Sequence, residues 1–418
     1  PGQFAGETPT SMKRRNGFGA EREYLMVAMN CRGNPTPPPP PLRVPRVNRP
    51  PSPSTLLSHK ITGSMLRSVI AATGSYIPPI RVPNSEFLNH DFRTAGGKPL
   101  SKTNAEIVQQ FEAITGIQER RYVEPGTVTS DIAFEAANEA LKSSGIDGES
   151  LDLIIVAHNF GDVQRSGGHP DLVPSLAARV KAKLRIAKPR AAAYDLVFGC
   201  PGWIQGVITA DAMIRAGDIQ RALIIGADTL SRISDPHDRD SMIYADGAGA
   251  TVLEARDTDS GILAHATRSD TLDHSTMLTM GPSYKDEVFL EGLFLKMEGR
   301  KLYKYALQTV AGSMQECLDK AGIPLRDVSK ILIHQANEKM DEAIINALYG
   351  AANLTPPPDV MPMTISWLGN SSVATVPTLL DLIAKQQLDG YAFHSGEIVL
   401  FASVGAGMHI NAFVYRMP

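Results

Sequence analysis

Apolar positions between residues 67 and 418 follow two periods. Short β-branched runs at 153–157, 222–226, 331–334 and 398–403 predict buried strands. Elsewhere the apolar residues step by three and four: Tyr303, Ala306, Val310, Met314, Cys317 and Ala321 fall on one face of a helix. Strands alternating with helices of this kind predict an α/β protein with a largely parallel sheet. Residues 34–54 read NPTPPPPPLRVPRVNRPPSPS and break the pattern. Fixed φ and missing N–H groups preclude helix interiors and sheet ladders there, so extended, solvated chain is expected.

The order of motifs occurs twice. The first half runs LDLIIVAHN, AYDLVFGC, GWIQGVITADAMIRAG, RALIIGADT; the second runs VSKILIHQAN, MTISWLGN, SSVATVPTLLDLIAKQ, GEIVLFASVGAG. In each half a strand ends in polar groups, His158-Asn159 or His334. A Gly-preceded polar residue, Cys200 or Asn370, then opens a helix. A duplicated α/β unit would bring corresponding strand ends together about a pseudo-twofold axis, with Cys200, His334 and Asn370 in one cleft. The expected organisation is a leader over 1–64, a half with the cysteine over 65–255, and a half with the histidine and asparagine over 256–418.

Composition narrows the class. With 418 residues, 43% hydrophobic and 20% charged, the bulk of the chain is globular. A formal charge of −3 gives no whole-chain pull toward nucleic acid or an anionic membrane surface. No uncharged apolar run approaches the ~18–20 residues of a membrane span. Three cysteines fit a reducing compartment, and a cytoplasmic location is expected. The leader is basic and acid-poor, but it has no signal-peptide apolar core and its prolines spoil an amphipathic transit helix. It is read as disordered, either foreign sequence ahead of a natural start at Met65 or a genuine disordered arm.

Cys200 sits in Phe198-Gly199-Cys200-Pro201-Gly202, a strand end turning into a helix. A lone cysteine is most often a small buried apolar residue. The flanking glycines and proline reverse that reading, because the positive helix end and free N–H groups favour a thiolate. Cys317 lies on the helical apolar stripe and is core; Cys31 is in the leader. His334 ends a strand, and Asn370 stands where a helix cap is usual. A neutral imidazole N–H and an amide N–H aimed at one oxygen would stabilise an enolate without removing a proton, which suffices if the carbanion arises by losing carbon dioxide. That suits these three residues better than a hydrolase triad. The loop Ser403 to His409, with Ala406 and Gly407, offers backbone N–H groups for an oxyanion hole. Asp246-Gly-Ala-Gly-Ala lacks the dinucleotide fingerprint, and no His/Cys pairing has metal-ligand spacing, so neither redox cofactor nor metal is expected.

At these residues the chain resembles β-ketoacyl-acyl-carrier-protein synthase III of the thiolase superfamily. The strings are TGIQERR (115–121), the Cys200 turn, SDPHDRDSMIYADGAGA (234–250), IHQAN (333–337), GNSSVATVP (369–377) and SVGAGM (403–408). The resemblance implies a five-layer αβαβα fold, a homodimer and a ping-pong reaction. An acyl primer would load on Cys200; malonyl-carrier protein would then decarboxylate with its thioester oxygen held by His334 and Asn370. The N–H groups of Cys200 and Ala406 would bind the acyl oxyanion. Three departures bear on substrate. Gln110 and Ile114 stand where the family has the Trp and Arg that clamp coenzyme A adenine, and Arg239 keeps the other half of that clamp, which points to a carrier-protein or unusual thioester. Val173 stands where a bulky aromatic often limits the acyl pocket, implying a primer longer than acetyl. Lys339 replaces the carrier-docking Arg, keeping charge but losing the bidentate fork. The segment 161–170 looks inserted near the entrance. The product is open between fatty acids and a specialised lipid or polyketide such as a dialkylresorcinol. A thiolase-fold acyltransferase, a hydroxymethylglutaryl-type synthase and a non-enzymatic carrier-binding paralogue are the alternatives.

Overall fold

The computed structural model describes residues 66–164, 168–285 and 292–418. The expectations for the leader, including Met65 and Cys31, lie outside them. The β-branched runs form buried strands, extended by a few residues beyond the predicted limits. β1 (Leu66–Tyr76), β4 (Leu153–His158), β5 (Ala192–Val197), β6 (Arg221–Thr229) and β7 (Asp246–Asp257) make one sheet in the order β1-β7-β6-β4-β5. β8 (Gly261–Ser269), β11 (Val328–Ile333), β12 (Ile398–Gly405) and β13 (His409–Arg416) make a second in the order β11-β12-β13-β8. Two small ribbons pair β2 (Ile80–Pro83) with β3 (Glu119–Tyr122), and β9 (Leu278–Gly281) with β10 (Phe294–Met297).

The repeat is visible in the pairing. β4 and β6 run parallel, as do β11 and β12, whereas β6·β7 and β7·β1 are antiparallel, as are β12·β13 and β13·β8. The sheets are therefore mixed, not largely parallel. The repeat also breaks at one place. AYDLV forms the edge strand β5, but its counterpart MTISWL makes a single helical turn, α8 (Ile365–Leu368). The backbone ahead of that turn is taken by a side chain: Gln335 accepts from the Thr364 N–H at 2.8 Å and donates to the Pro362 carbonyl at 2.9 Å.

Helices close five layers. α2 (Thr129–Ser144) and α3 (Leu176–Lys183) cover the outer face of the first sheet; α6 (Gly299–Ala321) and α7 (Glu338–Ala351) cover that of the second. α4 (Gly202–Ala216) and α9 (Thr375–Ala384) lie between the sheets. A helix with a sheet on each side has no solvent face, and Thr375 through Ile383 are accordingly all buried. α6 has one covered side, so its buried positions Leu302, Ala306, Val310, Met314 and Cys317 keep the helical step, with Tyr303 at the margin. In the central layer Trp203 packs against Phe401 and the parallel-stacked Phe413. α1 (Asn104–Thr115) and the short α5 (Thr271–His274) lie outside the layers. Among the described residues, no helix is long and apolar enough to cross a membrane.

Candidate active site

Cys200 lies where β5 ends and α4 begins, and the Phe198 ring stacks on His409 at 4.3 Å. The central helix thus presents its N-terminus to the sulfur. Burial nevertheless pushes the thiol up to about 11, and the Asp228 carboxylate acts in the same direction. A hydrogen bond from the Ser372 hydroxyl to Sγ, at 3.4 Å, and the Cys200 N–H work the other way and are outweighed. Burial thus opposes the thiolate that the helix end favours. Cys200 rests as a thiol, and its proton must leave when the sulfur attacks.

The loop after β12 closes over this turn. A Cβ on Gly405 would stand 2.7 Å from the Cys200 backbone nitrogen, so only glycine lets the two backbones approach. Ala406 follows and abuts Gly199. Gly407 takes φ 78° and turns the chain into β13.

His334 extends the β11·β12 ladder, its N–H donating to the Ala402 carbonyl at 2.9 Å. Burial lowers the imidazole to about 4, against a smaller opposing effect of a backbone hydrogen bond at Ser372. The ring is neutral at pH 7, and its Nδ1 has no partner. Asn370 is fixed through its backbone: its N–H donates to the Ile243 carbonyl at 3.0 Å and its carbonyl accepts from the Ala245 N–H at 2.8 Å. Gly369 takes φ 69°, and a Cβ there would fall 2.7 Å from that of buried Arg120. The Asn370 side chain does not cap α9. Its Oδ1 accepts from the Ser372 N–H at 2.8 Å, leaving Nδ2 without a hydrogen bond among the described residues.

A cavity of about 1180 Å³ reaches Asn370. Buried Met242, Ile243 and Met340 line it beside Asn337, and exposed Lys102, Gln110, Ile114, Arg239, Arg300 and Lys301 line its solvent side. The substitutions noted at Gln110 and Ile114 therefore face the same space as Arg239, whose side chain is 3.6 Å from Asp240. Lys339 is exposed on the first turn of α7, next to lining residue Met340. Val173 lies apart from this cavity. It is 84% exposed, on the loop before α3, and does not line the cavity of its own chain. In the segment 161–170, residues 165–167 lie outside the described set; Asp162 is buried and accepts from Ser130 and Arg179.

Three residues had no assigned chemistry in the sequence: Ser372, Asn159 and Asp228. They meet only through three separate segments, and Ser372 is one serine of a Ser-Ser pair. Its φ of 56° is the one feature that marks it, and that is a tertiary observation. Other motif residues are structural. His158 pairs with Asp195 at 3.2 Å. Arg120 donates to Met242, Val82 and Asn84, tying TGIQERR to the cavity wall. Asp246 accepts from Val123 and Ser231, and Asp235 from His237, Ser283, Tyr284 and Lys296.

Comparison with known proteins converges on one family. The model of 3-oxoacyl-[acyl-carrier-protein (ACP)] synthase III matches residues 194–271, and that of its C-terminal part matches residues 318–417. β-Ketoacyl-[acyl-carrier-protein] synthase III of Laribacter hongkongensis (strain HLHK9) is 36% identical over 340 residues, which is 81% of this chain and 95% of that protein. Two crystal structures of 3-oxoacyl-[acyl-carrier-protein] synthase III are also similar. That of Thermus thermophilus is 29% identical with a TM-score of 0.69, covering 84% of this chain and 99% of the other. That of Aquifex aeolicus is 28% identical with a TM-score of 0.67, again covering 84% and 99%.

Proposed function

Since this chain belongs to the 3-oxoacyl-[acyl-carrier-protein] synthase III family, whose members are acyltransferase-type condensing enzymes of thiolase fold, we propose that it joins an acyl primer on Cys200 to malonyl-carrier protein with loss of carbon dioxide. The carrying observation is the character of the two groups assigned to the malonyl oxygen. His334 is neutral and Asn370 has a free amide N–H pair, while the cavity's carboxylates, Asp238, Asp240 and Glu298, flank the cations Arg239, Arg300 and Lys301 of its rim. Two such donors stabilise an enolate formed by decarboxylation; they do not themselves generate one by deprotonation.

The steps follow from that arrangement. The Cys200 sulfur attacks the primer carbonyl while the N–H groups of Cys200 and Ala406 bind the developing oxyanion, and the carrier thiol leaves. The malonyl thioester then places its carbonyl oxygen on His334 and Asn370. The carboxylate C–C bond breaks, carbon dioxide departs, and the carbanion attacks the acyl carbonyl and expels the Cys200 sulfur. No resident cofactor or metal takes part.

The cationic rim of Lys102, Arg239, Arg300 and Lys301 suits the phosphate of a phosphopantetheine arm, and exposed Lys339 an acidic carrier protein. Without an aromatic side chain at 110, the rim favours a carrier protein over coenzyme A as primer donor. A homodimer is supported by the edge of β5, where Val197 is exposed, and by exposed Leu172 and Val173 on the loop before α3. The start of α3, just after that loop, is tied to β5 through Asp195, which accepts from the Leu176 and Ala177 N–H groups.

Intact-protein mass spectrometry after incubation with acyl-coenzyme A and acyl-carrier-protein thioesters tests this function. A Cys200 adduct discharged by malonyl-carrier protein is expected. No adduct from any donor would return the reading as a non-enzymatic carrier-binding paralogue, and an adduct released only to another acceptor would make the protein a simple acyltransferase.

A further inference from the structure

Ser372 connects the three residues assigned to the reaction. Its N–H donates to Asn370 Oδ1, a backbone hydrogen bond joins it to His334, and its hydroxyl donates to Cys200 Sγ. The same hydroxyl oxygen accepts from Asn159 Nδ2 at 2.9 Å. Asn159 spends its other amide hydrogen on Asp228 Oδ2 at 2.6 Å, and its backbone N–H on Asp228 Oδ1 at 2.8 Å. Asp228 is 1% exposed and also lies within hydrogen-bonding reach of the Ser372 hydroxyl. A serine at φ 56° is costly, and a strained non-glycine residue persists where surrounding contacts over-determine it.

We propose that Ser372 and Asp228 form a relay, aligned by Asn159, that removes the Cys200 thiol proton during acyl loading. The inference rests on the condensing-enzyme reading. The Ser372 hydroxyl turns its hydrogen from Sγ to an Asp228 carboxylate oxygen; as Sγ attacks the primer carbonyl, the thiol proton passes to Ser372 Oγ and the Ser372 O–H proton passes to Asp228. The carbonyl–sulfur bond to the carrier breaks, and the departing thiolate takes the proton back along the same path. Ser372 touches the reacting sulfur and is catalytic; Asn159 is a positioning residue. The relay meets the need set by a buried thiol that rests protonated. It also separates the two half-reactions: Ser372 and Asp228 serve loading, and His334 and Asn370 serve decarboxylation.

The test is independent of any thioester substrate, so it can fail while the condensing function stands, and the function can fail while it succeeds. Cys200 alkylation by iodoacetamide is followed by intact mass across pH 5–10 in wild type, Ser372→Ala, Ser372→Thr and Asp228→Asn. The titratable groups facing Asp228 are Cys200 and His158, and His158 is paired with Asp195. Ser372→Ala and Asp228→Asn are each expected to slow alkylation at neutral pH by about 100-fold, the lower range for positioned proton transfer. Both should approach the wild-type rate at high pH, where hydroxide takes the proton, and Ser372→Thr should restore much of the loss. Profiles that superpose on wild type overturn the relay. So does a loss at every pH, which marks a collapsed site. Faster neutral-pH alkylation in Asp228→Asn also overturns it, because the carboxylate would then act only as a charge opposing the thiolate.

Discussion

Replacing Asn370 by Ala and by Asp separates the two ends of its amide. The Oδ1 atom accepts from the Ser372 N–H at 2.8 Å, whereas Nδ2 has no hydrogen bond among the described residues and lines the cavity as a donor. Ala removes both. Loss of the turn acceptor costs about 1 kcal/mol of stability, as for a helix cap. Loss of one oxyanion donor costs ~10²–10³ in rate, or about 3–4 kcal/mol of transition-state stabilisation. Ionised Asp keeps the acceptor and has no donor, so it should retain most of the stability and lose as much decarboxylation as Ala. The assays are thermal unfolding, single-turnover acylation of Cys200 by intact mass, and carbon dioxide release from malonyl-carrier protein. Acylation should stay within a few-fold of wild type in both variants. Equal losses of acylation and decarboxylation in Asn370→Ala would refute the assignment. An Asp variant that decarboxylates normally would refute it too, since its only surviving group is the acceptor.

Three other tests address separate parts of the argument. The His334 imidazole titrates near 4 when folded, against 6.5 for the free group, so the unfolded chain takes a proton first. Wild type should therefore keep its full stability relative to His334→Gln above pH 6.5 and lose about 3 kcal/mol of it as pH falls toward 4; a pH-independent difference in denaturant midpoints would contradict a buried neutral ring. Gly405→Ala places a methyl 2.7 Å from the Cys200 nitrogen and should lower stability by ~1–3 kcal/mol and cripple acyl loading, with wild-type loading counting against the close approach. Val197→Lys puts charge on the free β5 edge, where Val197 is 65% exposed, and should shift the protein to monomer in analytical ultracentrifugation; an unchanged dimer would place the interface elsewhere.

Much of this protein is legible in its linear order. The period of apolar residues marks β4, β6, β11, β12 and α6, because burial on one face or two writes itself directly into residue type. Internal similarity shows the duplicated half, and the doublets around Cys200, His334 and Asn370 stand out because a glycine or proline beside a reactive group signals a special turn. Other features belong to the tertiary structure alone. The second half lacks an equivalent of β5 because Gln335 takes the backbone groups at Pro362 and Thr364. Burial among the packed layers pushes the Cys200 thiol up, and desolvation has no signature in a pentapeptide. That Val173 stands exposed on the loop before α3 is likewise a matter of the fold. Asp228, Asn159 and Ser372 stand far apart along the chain, and only the parallel pairing of β4 with β6 and the approach of the turn before α9 put them on one hydrogen-bonded path to Cys200.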